Sequence, residues 1–111
     1  MIDEGAGLRA EEIKTFFINL GILIKWGRMR KNITQEKMQD ALGLNMHNVE
    51  TGTENLTLTS ILRIAKYLEQ KPHKMILYAL TEQKIYVFQE EIEKMKILGR
   101  SKKRTAKKKN H

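Results

Sequence analysis

The sequence predicts an all-α fold, and three observations carry that expectation. Apolar residues recur at alternating spacings of three and four through successive segments, the mark of helices with one buried face. One proline and seven glycines among 111 residues leave little material for the turns of an all-β chain. A hydrophobic share of 41% is enough to fill one core, and the length suits a single domain with tails.

Residues 1–8, MIDEGAGL, are small, acidic and glycine-containing, so a flexible N-terminus is expected through residue 9. From Ala10 onward, Ile13, Phe16, Phe17, Leu20 and Ile24 make one stripe and predict a first helix over about 10–31. Gly21 and Gly27 each weaken a helix interior by about 1 kcal/mol relative to Ala, which leaves a kink or break near Gly21 as the alternative. Thr34 ahead of Gln35 and Glu36 is an N-cap signal for a second helix over 35–42, with Met38, Ala41 and Leu42 on its apolar face. Gly43 supplies the left-handed residue that commonly ends a helix. Asn45 is placed to cap a short third helix over 46–51, which Gly52 ends.

After the polar loop TENLT, the residues Leu58, Ile61, Leu62, Ile64, Ala65 and Leu68 predict a strongly amphipathic fourth helix that stops before Pro72. A short fifth helix is expected over 75–80. Beyond it, Ile85, Phe88, Ile92 and Met95 predict a helix over 81–98 that packs on a partner helix, and this stripe is the basis for expecting a homodimer. The start of that segment, KIYVF, also reads as a short strand.

The net charge of +8 is unevenly spread. Seven Lys and Arg residues and no acid lie in 100–111, so 21 minus seven leaves 14 bases against 13 acids in residues 1–99. Residues 99–111 are therefore expected to be a disordered basic tail, suited to flexible, non-specific contact with phosphates, to nuclear import or simply to solubility. The tail has no aromatic residue on which a base could stack. In the nearly neutral body the cations cluster at Lys25, Arg28, Arg30 and Lys31.

Several function classes are excluded as expectations. Without cysteine there is no disulfide framework, thiolate metal site or Cys nucleophile. The apolar run from Phe16 to Ile24 is far shorter than the roughly 20 residues of a membrane helix, and Asp3 and Glu4 precede it where a secretion signal would carry positive charge. A cytoplasmic protein with no membrane contact is expected. The histidines His47, His73 and His111 lack the spacing and partners of a metal site, no phosphate loop or catalytic motif is present, and neither enzyme activity nor a cofactor is expected. Trp26 reads as a packing residue rather than a stacking platform.

The stretch LGILIKWGRMRKNITQEKMQDALGL, followed by VETGTENLTLTSILRIAKYL, resembles the helix-turn-helix domain of phage repressors, Cro proteins and the Xre group of bacterial regulators. The resemblance covers about residues 20–70 and rests on Gly21, Ile24 and Arg28, then Ile33 to Glu36, then Leu42 to Leu44. It continues through Glu50, Gly52, Asn55, Leu58, Ile61, Ile64, Ala65 and Leu68. It implies a five-helix repressor-like domain over 10–80 with the third helix entering the major groove of double-stranded DNA, to which the stripe on the 81–98 helix adds an expectation of dimerisation. By the same resemblance, Gln35 contacts a phosphate at the start of the second helix, and Glu50 pairs with Arg28 in a structural role. Asn45, His47 and Asn48 are the candidates for base contact, and Arg30 and Lys31 for phosphate contact.

The chain departs from that family in one place. Gly43 to Gly52 spans ten positions where the family pattern has thirteen. Three missing residues shorten a helix by about 4.5 Å and rotate the residues beyond the gap by about 60°. Either the exposed residues of a stub still reach bases, or the fold persists with specific reading weakened or lost. The implied function is sequence-specific transcriptional regulation, as a repressor or an antitoxin-type autoregulator. Two alternatives stay open. One is an adaptor on the same fold that binds a protein such as a toxin, and the other is a non-specific nucleic-acid binder acting through the tail.

Overall fold

The computed structural model describes residues 9–81 and 84–109, and among these the chain is all-helical with six helices and no strand. They are α1 (Ala10–Arg30), α2 (Gln35–Leu42), α3 (Met46–Thr51), α4 (Leu58–Tyr67), α5 (Pro72–Thr81) and α6 (Ile85–Lys109). The expected flexible segment 1–8 lies outside the described residues.

Local chemistry sets most of the boundaries. The Thr34 hydroxyl accepts the Lys37 amide, the Asn45 side chain accepts the Asn48 amide, and the Thr57 hydroxyl accepts the Ser60 amide, so three helices start on a side-chain cap. Gly43 at φ 69° and Gly52 at φ 79° take the left-handed conformation that closes α2 and α3. Between α1 and α2, Asn32 turns the chain at φ 56°, a conformation that Asn tolerates better than most residues.

Three sequence expectations are corrected. α5 begins at Pro72 rather than near residue 75, because proline at the first helical position costs no hydrogen bond and fixes a helical φ. The KIYVF segment is helical from Ile85 onward, and Ile85 is buried against the core that α1 and α5 share. The basic segment is not irregular: α6 runs on as one backbone helix to Lys109, since Lys, Arg and Ala are good helix formers and cations suit the negative end of the helix dipole.

The core is built around α1. Leu20, Leu23 and Ile24 meet Met38 of α2, Met46 and Val49 of α3, Ile61, Ile64 and Ala65 of α4, Leu68 just beyond it, and Met75 and Ala79 of α5. Asn19 is buried among them, and its side-chain amide donates to the Ala79 carbonyl at 3.2 Å, tying α1 to α5. The stripe expected to pair two chains is used within one. Ile85 and Ile92 are buried, Phe88 and Met95 half-buried, and Phe88 meets Trp26 edge-on with ring centroids 4.7 Å apart. Trp26 also donates its indole N–H to Glu91, so it is a packing residue.

No kink forms at Gly21, and α1 is continuous through it. The residue serves close approach instead. A Cβ there would lie 2.6 Å from the Val49 carbonyl oxygen and 2.7 Å from that of Glu50. On the other side of the same contact, a Cβ on Gly52 would lie 2.5 Å from the Ile18 Cα. The end of α3 thus rests directly on the α1 backbone at two glycines. Replacing Gly21 with Ala forces these backbones apart, and urea unfolding of Gly21→Ala is expected to register a loss of about 1–3 kcal/mol despite the better helix propensity of Ala.

Candidate nucleic-acid interface

Three helices converge on one buried carboxylate. Arg28 of α1 donates from Nε to Glu50 Oε2 at 2.6 Å and from Nη2 to Glu50 Oε1 at 3.1 Å, a two-point pairing across α1 and α3. The remaining Nη1 donates to the Ile33 carbonyl at 2.6 Å, which fixes the turn into α2. Gln35, the first residue of α2, donates its side-chain amide to Glu50 Oε1 at 3.0 Å. The Glu50 side chain is 2% exposed and that of Arg28 11%, so water replaces neither partner.

Two weaker contacts join α2 to its neighbours. The Gln39 side-chain oxygen accepts the Met46 amide at 3.2 Å and joins α2 to the start of α3. Arg63 of α4 donates to the Leu42 carbonyl at 3.0 Å and caps the end of α2. Neither contact has a periodic signal in sequence, because each rests on one polar residue meeting one backbone group.

The residues singled out in sequence divide into three groups. Arg28 and Glu50 form the expected ion pair. Asn45 is occupied as the α3 cap, while His47 stands exposed and Asn48 is half-buried beside it. Met46 and Val49 are buried on the opposite face of α3, so the six-residue helix still separates a core face from an outer one. The cations are less free than their spacing suggests. Arg30 lies over the Trp26 ring at 4.8 Å, and Lys31 pairs with Glu69 at 2.8 Å. The Lys31 ammonium, by hydrogen bond and by charge, holds the Glu69 carboxyl below the usual carboxylate range. Gln35 offers its side chain to Glu50, which leaves the first amides of α2 as the groups that can meet an anion there.

Charge is distributed against the α3 side. From Met38 to Leu62 the sequence contains no Lys or Arg, and Asp40, Glu50 and Glu54 are acidic. The bases gather where α1 ends and α6 passes it. There Lys25 stands beside Lys96, and burial first, then the neighbouring Lys96 ammonium, hold Lys25 below the ordinary lysine value.

No protein-family model matches the chain, and neither a curated protein nor a solved structure matches it. Among the described residues, no helix is long and apolar enough to cross a membrane.

Removing one partner of the buried pair leaves the other charge uncompensated. Glu50→Ala is expected to cost about 3–5 kcal/mol by chemical denaturation, and the Arg28→Met, Glu50→Leu double variant less than the sum of the two single changes.

Proposed function

We propose that the protein binds double-stranded DNA as a helix-turn-helix regulator of transcription, a repressor or an autoregulator of the antitoxin kind, working in the cytoplasm at the nucleoid. The observation that carries this reading is the Arg28, Glu50 and Gln35 network, which locks α1, α2 and α3 into one unit with His47 and Asn48 on its outer face. In that unit the start of α2 meets a phosphate, and α3 presents Asn48 and His47 to the major groove.

The short α3 limits the number of bases in reach. A carboxamide such as that of Asn48 recognises adenine through two hydrogen bonds, and a site read by two side chains is correspondingly short. The Ile85, Phe88, Ile92 and Met95 stripe is spent on α1 and α5 of the same chain, so it no longer argues for a homodimer. A dimer of such units on two half-sites remains part of the proposal only through the geometry of the helix-turn-helix class.

A second reading draws on the acidic stretch from Met38 to Leu62. A surface without cations gives no counterion release, which favours an adaptor that uses the same fold to hold a protein partner such as a toxin.

Selection of a random duplex pool by the full-length protein, with sequencing of the retained DNA, separates the two readings. A single short motif is expected, with Asn48→Ala relaxing preference at one position by about 1–3 kcal/mol. Retention of no motif by the full-length protein would remove the regulator reading.

A further inference from the structure

α6 does more than cover α1. Phe88 packs on Trp26, and further along Met95, Lys96, Leu98 and Gly99 line an open groove of about 680 Å³ whose other wall runs from Arg28 to Arg30 and from Asn32 to Thr34. The two helices therefore run parallel, and α6 passes the end of α1 to reach the turn that leads into α2. Gly99 lines the same groove as Asn32, Ile33 and Thr34, and the helical backbone continues from there to Lys109.

The residues beyond Gly99 are largely cationic. Positions 100, 103, 104, 107 and 108 are Arg100, Lys103, Arg104, Lys107 and Lys108, and their spacing of three and four puts all five positions on one face of a helix. Like charges at that spacing repel one another, a penalty that a polyanion alongside removes. Ten helical residues extend about 15 Å, and that length of duplex axis carries about nine phosphate charges. The run from Met38 to Leu62 has no Lys or Arg, and Arg63 beside it is engaged on the Leu42 carbonyl, so most of the charge for binding a duplex has to come from elsewhere in the molecule.

We infer that the basic segment after Gly99 is a second duplex-contacting element, laid by α6 along the phosphate backbone beside the start of α2, and that it supplies the positive charge the α3 side lacks. This inference rests on the DNA-binding reading above. It adds that the segment acts as a phased arm and not as a loose tether. The crowding of Lys25 against Lys96 at the base of the arm is relieved when a phosphate lies near.

The test uses the full-length chain, a duplex retained from the pool, a scrambled duplex of equal length, and anisotropy titrations over a range of salt. The first variant carries Lys103→Gln, Arg104→Gln and Lys107→Gln. It is expected to lower the slope of log K against log salt by roughly two to three on both duplexes, since each lost phosphate contact removes about 0.9. The second inserts six Gly and Ser residues between Gly99 and Arg100, keeping every charge. A phased arm predicts at least about a tenfold loss of affinity, whereas a loose tether retains an effective concentration in the millimolar range and binds as before.

An unchanged salt slope in the first variant overturns the contact, and unchanged affinity in the second overturns the phasing. Tighter binding to phosphatidylserine vesicles than to either duplex, lost in the first variant, would assign the segment to a membrane surface and overturn the proposal as well. Both changes lie beyond Gly99, and both slopes are readable on the scrambled duplex. Failure of the arm is therefore distinct from failure of base reading, which the absence of a selected motif reports.

Discussion

The fold around the candidate interface depends on one buried carboxylate. Glu50 sits at the end of a helix of six residues, too short to persist by its own hydrogen bonds, because helices below about 12 residues are marginal in water. What holds α3 is tertiary. Glu50 takes the Arg28 guanidinium and the Gln35 amide, Met46 and Val49 fill the core, and the glycines at 21 and 52 let its end touch the α1 backbone. Burying a charge pair is expensive unless the geometry is close and the remaining polar atoms are satisfied. Both conditions are met here, since Arg28 also donates to the Ile33 carbonyl. The same pair therefore sets the orientation of α3 and the path of the turn into α2.

The same arrangement decides which face of α3 is left outward. Met46, Val49 and Glu50 are buried on one face of its six residues, as the helical period places them. The outer face carries His47 and Asn48, while Asn45 is committed to the cap. On the DNA-binding function proposed above, so few outward side chains leave phosphates to supply much of the affinity. Cations gather at the end of α1 and on α6, where Lys25 stands beside Lys96 and where Arg28, Arg30 and Lys96 line one groove.

Much of this architecture is legible from the residues. Caps at Thr34 and Asn45, left-handed closure at Gly43 and Gly52, and the apolar stripes of α1 and α4 are local signals, and local signals survive folding. The Arg28 and Glu50 pair is accessible only through the resemblance, because nothing in composition joins positions 22 apart. Gly21 reads in sequence as a weak point in a helix, since sequence gives its propensity but not the carbonyl groups of Val49 and Glu50 that require it to lack a side chain. The Gln39 contact to Met46 and the Asn19 contact to Ala79 leave no trace at all, being single polar residues whose partners are backbone atoms.

The C-terminal stripe carries the more general physical point. A helix with Ile85, Phe88, Ile92 and Met95 on one face must bury that face, and sequence alone cannot say whether the covering surface belongs to the same chain or to another. Here α1 offers Trp26 on its free side, and Trp26 needs both an apolar neighbour and a partner for its indole N–H. Phe88 and Glu91, one turn apart on α6, provide the two together, so the intramolecular solution satisfies a polar group that a simple apolar pairing would leave to water. Once that face is fixed on α1, the direction of α6 is fixed as well. Its far end then comes to the turn before α2, where Gly99 lines one groove with Asn32, Ile33 and Thr34, a consequence of where a tryptophan found its hydrogen bond.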